Sequence, residues 1–200
     1  MTCALRTGRA HRPRKGPNPG RGARGKLKDI VSISERPAEV EDRAVPGHWE
    51  GDLILGRGGR SQVATIVERT TRFTLLVALP TDRKAHTVRD AIASKIVELP
   101  EHLRRSLTWD QGKEMAAHAD FKVATDVAVY FCDPHAPWQR GTNDNTNGLL
   151  RQYLPRSTDL ATVTARQLDQ IAAELNERPR ETLGWDTLAE KLNELLAMTS

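Results

Sequence analysis

The chain has 200 residues and a mass of 22.3 kDa, the size of one ordinary domain, or of one domain with a tail. An apolar fraction of 38% supports a packed core, but the longest apolar run, residues 75–79, is far short of the ~20 residues of a membrane helix, which excludes a transmembrane-helix protein. Two cysteines, Cys3 and Cys132, exclude a disulfide framework or a cysteine-rich zinc site; a reducing, cytosolic setting follows as the expectation, and no apolar stretch behind the basic N-terminus reads as a secretory signal.

The net charge of +4 is unevenly placed. Residues 1–28 hold nine Lys and Arg and no acid, which leaves 21 bases against 26 acids in the other 172 residues. Five glycines and three prolines in that stretch predict a disordered arm, residues 1–34, that neutralises DNA phosphates or serves as a plain linker. Residues 35–200 are expected to form the folded core with C-terminal helices.

Three strands follow in order, over residues 49–56, 62–68 and 73–79, rich in Val, Thr, Ile and Leu and joined by short turns. A helix is expected over 87–99, with apolar residues at 88, 91, 92, 96 and 99, and Pro100 stops it. A short strand, 106–109, leads to Asp110. A helix over 114–124, a strand over 127–132 and a Pro-bounded loop over 133–142 come next. Helices over about 143–153, 163–178 and 187–197 complete the chain. The order predicts an α/β fold, a mixed sheet with helices on both faces.

Three acids stand out. Asp52 lies in the middle of an otherwise apolar strand, on the face of Glu50 and Ile54, where a carboxylate is costly unless paired or bound to a cation. Asp110 follows the fourth strand directly; alone it also reads as a turn-former. Asp144 sits in the first turn of a helix, where an acid also favours the helix dipole. If strands one and four are neighbours and that helix crosses them, three carboxylates converge. Such oxygen donors suit Mg²⁺, and two ions ~4 Å apart serve phosphodiester chemistry.

The local sequences add to this. Residues 46–54 (PGHWEGDLI), 107–114 (LTWDQGKE) and 133–153 (DPHAPWQRGTNDNTNGLLRQY), with 175–180 (LNERPR) and 183–185 (LGW), resemble the DDE transposases of bacterial insertion sequences, the insertion-sequence-thirty family in particular, from about residue 35 to 195. The resemblance implies a ribonuclease-H-like catalytic core with a mixed five-stranded sheet, shared with retroviral integrases. It also implies that Asp52, Asp110 and Asp144 are the catalytic and metal-ligating acids, with Mg²⁺ or Mn²⁺ as cofactor and two ions expected. The family places 33 residues between its second and third acids, and so does this chain. Three departures appear: the third acid is aspartate where glutamate is usual, Leu188 stands where a proline is expected, and the family's N-terminal helix-turn-helix is missing. Together they point to an N-terminally truncated or decaying copy.

Lys113, Arg140, Arg151 and His135 are the expected DNA contacts, and Trp138 either reaches a DNA end or packs on the core. Glu114 either adds charge near the metals or begins a helix, and Trp185 reads as a core anchor. The expected function is metal-dependent cleavage of double-stranded DNA at element ends and strand transfer into target DNA, by a homo-oligomer acting at the nucleoid with no membrane partner. The alternatives are a non-catalytic DNA-binding remnant and a simple metal-dependent nuclease.

Overall fold

The computed structural model describes residues 27–79 and 84–198. The arm expected over residues 1–34 falls mostly outside them. Its last part does not behave as an arm, because Leu27 and Ile30 pack on the core, Ser32 bridges Phe131, and the Asp29 carbonyl accepts from His118 Nε2 at 3.2 Å.

Five strands form one sheet: β1 (His48–Leu55), β2 (Gln62–Glu68), β3 (Thr74–Ala78), β4 (Ser106–Trp109) and β5 (Ala128–Phe131). Their spatial order is β3-β2-β1-β4-β5, with β1–β2 and β2–β3 antiparallel and β1–β4 and β4–β5 parallel. Short turns let the first three pair as a meander. The parallel pairs need crossovers, which helices α1 (Ala85–Val97) and α2 (His118–Thr125) supply. Then come α3 (Gly141–Leu150), α4 (Ala165–Asn176) and α5 (Leu188–Met198). The helix expected over 114–124 begins later, because Lys113–Met115 forms a separate 3₁₀ turn that the Gly112 carbonyl starts.

β1 is central, so both its faces are covered, and alternation decides which residues go where. Trp49 joins Leu107, Trp109, Val88, Ile92, Ile96, Phe121 and Phe131 under α1 and α2. Gly51 lies on that face because Trp109 leaves no room: an added Cβ would stand 2.0 Å from the indole ring. Ile54 joins Val63, Leu76, Leu150, Leu168 and Leu175 under α3 and α4 on the other face. Glu50 and Asp52 share this second face with Ile54, as the strand period requires.

Candidate active site

The parallel register pairs His48 with Ser106, Trp49 with Leu107 and Glu50 with Thr108. Continued two residues along both strands, it sets Asp52 beside Asp110 at the sheet end. The two acids share one cation: Arg140 Nη1 lies 3.1 Å from Asp52 Oδ1, and Nη2 lies 3.6 Å from Asp110 Oδ2. Asp110 also accepts the Gly112 N–H at 2.8 Å, so the same carboxylate forms a turn and faces Asp52.

Burial raises the Asp52 pKa above its ordinary value, and the neighbouring Asp110 charge adds to the rise; Arg140 opposes both without cancelling them. Burial works against the Arg140 charge as well, but Asp52 and Asp110 outweigh it and hold the guanidinium more firmly protonated. Arg140 is 7% exposed and also donates to the Gly51 carbonyl at 2.9 Å. On sequence it reads as a DNA-phosphate contact. Its fork is instead turned inward on two carboxylates and a carbonyl, since it enters from the turn that precedes α3 and meets the sheet end there.

Glu114 is the fourth acid of the neighbourhood. It accepts from Trp109 Nε1 at 3.1 Å and lies over Gly112, where any Cβ would meet its carboxylate at 2.0 Å. Burial raises its pKa, with the charges of Asp110 and Asp52 acting the same way.

α3 is docked by a buried polar network that sequence reasoning missed. Glu50, fully buried, pairs with Arg69 and accepts the Asn143 N–H at 3.0 Å, placing a carboxylate at a helix N-terminus. Asn143 Nδ2 donates to the Glu50 and Thr65 carbonyls at 2.8 and 3.1 Å, and its Oδ1 accepts from Thr65 Oγ1 at 2.9 Å. One turn on, Asn147 Nδ2 donates to Asp52 Oδ2 at 3.0 Å, and its buried Oδ1 has no partner among the described residues. The sequence signal was the Glu50/Asp52 alternation, which marks two acids on one face but not their partners.

This docking decides where Asp144 goes. Each α-helical residue turns about 100° from the last, so with Asn143 and Asn147 on the sheet Asp144 is exposed. Among the described residues no three His, Cys, Asp or Glu side chains close on one point. Asp52 and Asp110 are brought together, and no hydrogen bond or ion pair joins Asp144 to them. Arg151, one helix face with Asp144, donates to the Leu55 carbonyl at 3.1 Å, so Asp144 lies on the flank of α3 nearest the end of β1.

A cleft of about 360 Å³ opens at Asp110, lined by Cys132, His135 and Arg140 among others. His135 is exposed, on left-handed backbone at φ 63°. Lys113 is also exposed but lines a different cavity, with Lys28 and His118. His118 is structural, tied to the Met115 and Asp29 carbonyls. Two tryptophans depart from the core packing weighed for them: Trp138 and Trp185 are 75% and 70% exposed. The Cys132 thiol, raised to about 11 by burial, is no nucleophile at neutral pH.

Residues 42–137 match the family model described as the integrase core domain. The match takes in Asp52 and Asp110 and stops before Asp144. The chain is 53% identical over 178 residues to the transposase for insertion sequence element IS1086 of Cupriavidus metallidurans, covering 89% of this chain and 52% of that one. It is 46% identical over 198 residues to the transposase InsI for IS30A of Escherichia coli K12, covering 98% and 49%. Over most of its length the chain is strongly similar to IS30-family transposases, with an integrase core domain matched within it. It spans about half the length of the curated relatives it matches. The catalytic core domain of BIV integrase superposes with a TM-score of 0.58 over 76% of this chain and 97% of that one, at 17% identity, which shows the ribonuclease-H-like fold. Among the described residues no helix of this core is long and apolar enough to cross a membrane.

Proposed function

We propose that the core cleaves phosphodiester bonds at the ends of an insertion element and transfers the strand to target DNA, using divalent metal ions. The observation that carries this reading is the pairing of Asp52 and Asp110 across adjacent parallel strands, both already holding one cation between them. Core domains of this kind use divalent metal, and the side chains here fit one. Asp52 and Asp110 offer hard carboxylate oxygens and share one positive charge, and the buried Oδ1 of Asn147 lacks a partner among the described residues.

Asp52, Asp110 and Asp144 would hold Mg²⁺ or Mn²⁺, two ions by analogy with other phosphodiester enzymes. When bound, the ions would lower the pKa of the attacking group and stabilise the leaving oxygen. The chain's own part is orientation. Asn147 fixes the Asp52 carboxylate, the Gly112 N–H fixes that of Asp110, and Glu50 with Asn143 holds α3 against the sheet. Arg140 balances the two acids, and as a DNA contact of this reading it would have to leave them for a phosphate. His135, Lys113 and Arg151 are the further DNA contacts of this reading. The setting is the nucleoid, and the active form a homo-oligomer.

The second reading, a core that binds DNA without cutting it, draws on one observation, the exposed and shorter acid at position 144. Incubating the chain with a labelled element-end duplex and Mg²⁺ or Mn²⁺ separates the two. Cleavage that Asp52→Asn abolishes supports the first; duplex binding with no cleavage in either metal supports the second.

A further inference from the structure

The LNERPR run at residues 175–180 has no part in the acid site, yet the fold gives it a definite place. Asn176 caps the edge of β3, accepting the Thr74 N–H and donating to the Thr74 carbonyl, both at 2.9 Å. Arg178 is occupied by the Tyr153 hydroxyl and ring. Pro179 bridges Thr187, the Arg180 N–H donates to the Asp186 carbonyl at 3.0 Å, and the Arg180 carbonyl accepts from Leu183 and Trp185. This closed turn fixes the backbone from which the Arg180 side chain leaves.

Arg180 meets two arginines from distant parts of the chain. Arg43, Arg72 and Arg180 line a groove of about 440 Å³, walled by Thr142 and Asn145 of α3 and by Leu188 of α5, and among the described residues no carboxylate lines it. Arg43 and Arg72 have no side-chain hydrogen bond or ion pair among the described residues. Burial lowers the Arg180 pKa, and the charges of Arg178 and Arg72 lower it further. Thr142 is only 5% exposed, and its hydroxyl has no partner among the described residues. A buried hydroxyl without a partner among the described residues, beside three arginines in a groove that no described carboxylate lines, is the lining that a ligand with several acceptor oxygens would complete.

Helix geometry places this groove relative to the acids. On α3 the sheet side is formed by Asn143, Asn147 and Leu150. Thr142, Asn145, Thr146 and Leu149 turn to one flank, and Asp144 and Arg151 to the other. The same helix therefore carries an acid on one flank and an acid-free arginine groove on the other.

We propose that the groove binds the phosphodiester backbone of duplex DNA, a contact that rests on the reading of this chain as a DNA transposase core. Guanidinium forks match phosphate oxygens in pairs, and Thr142 and Asn145 add neutral donors. The strand held there lies across α3 from the acids and sets the register of the duplex without reading its bases.

The test titrates the full chain with a random-sequence duplex, without divalent ions, over a series of salt concentrations. Arg43 (φ 52°) and Arg72 (φ 66°) stand on left-handed backbone that glycine adopts without strain, so Arg43→Gly and Arg72→Gly remove charge while relieving the fold. Each lost phosphate contact lowers the slope of log K against log salt by about 0.9, so the triple variant with Arg180→Gln should lose about 2 to 3 from it. Arg180→Lys should keep the slope. Thr142→Val should raise Tm, since it removes a buried unpartnered hydroxyl, and weaken binding roughly twofold to tenfold. A triple variant that melts normally and keeps the natural slope overturns the groove and leaves the cleavage reading standing. A natural chain that binds no duplex overturns both.

Discussion

At the scale of single residues, the site is a balance of two acids against one base. Arg140→Gln would leave Asp52 and Asp110 facing each other without a cation. Removing one partner of a buried pair costs about 3–5 kcal/mol, and Asp110, 45% exposed, brings this down to about 2–3 kcal/mol. Melting without metal should show that loss, and Mn²⁺ should then raise Tm more in the variant than in the natural chain, because no guanidinium competes for the acids. Asp144 carries the second prediction. Aspartate is one methylene shorter than glutamate, withdrawing the carboxylate by ~1.5 Å, and a misplacement of ~1 Å can cost on the order of a hundredfold in rate. Asp144→Glu should therefore raise the rate of strand cleavage, and Mn²⁺, which is less strict about geometry, should outperform Mg²⁺ with the natural residue. Equal rates for both residues in both metals would show that position 144 is no ligand.

At the scale of elements, β1 and α3 are locked together by a polar contact rather than by shape alone. Glu50→Gln keeps an acceptor for the Asn143 N–H but leaves Arg69, 5% exposed, without its countercharge. The expected loss is about 3 kcal/mol of stability. Cleavage should fall further than the melting loss alone predicts, because α3 carries Asp144 and Asn147, and a kinetic comparison at a temperature where both proteins are folded checks it. The opposite face of β1 tests packing. Gly51→Ala drives a methyl into the Trp109 ring, which cannot retreat from a fully buried position, and about 1–3 kcal/mol or more should be lost.

At the scale of the whole molecule, pH reports the strain that the acids carry. Burial comes first in raising Asp52, Glu68 and Glu114 above their ordinary values, 3.8 for Asp and 4.5 for Glu. A carboxyl with a raised folded pKa binds its proton more tightly when folded. Its favourable contribution is therefore full below the ordinary value and is lost as pH rises through the raised one. Glu114→Gln should thus leave Tm nearly unchanged at about pH 4 and raise it at about pH 7; the reverse order would contradict the burial assigned to this group. The basic arm acts at the same scale. Deleting residues 1–26, which removes eight of the nine cations of the first 28 residues, should flatten the salt dependence of duplex binding without changing any base preference.

The sequence alone determined the strands, because alternation and β-branched runs are local signals: β2 and β4 lie where their residues place them, and the Glu50–Asp52–Ile54 face is a consequence of strand period. It also marked Asp52 and Asp110, since an acid amid apolar neighbours and an acid at a strand end each have a physical cost or use that shows in the local residues. Local signals could not show partners. Arg140 reads as a surface cation in its loop, and only the packing of that loop on the end of β1 turns it toward two carboxylates. Trp185 reads as a core residue by type and Trp138 leaves core packing open, yet loop geometry places both in solvent. The rotation of α3 was decided by Glu50, Thr65 and Asn143, residues as many as 93 positions apart, and that rotation alone separates Asp144 from the arginine groove. Periodicity is a property of a segment, whereas the direction of a charge depends on which distant group satisfies it, and only the folded chain brings those groups together.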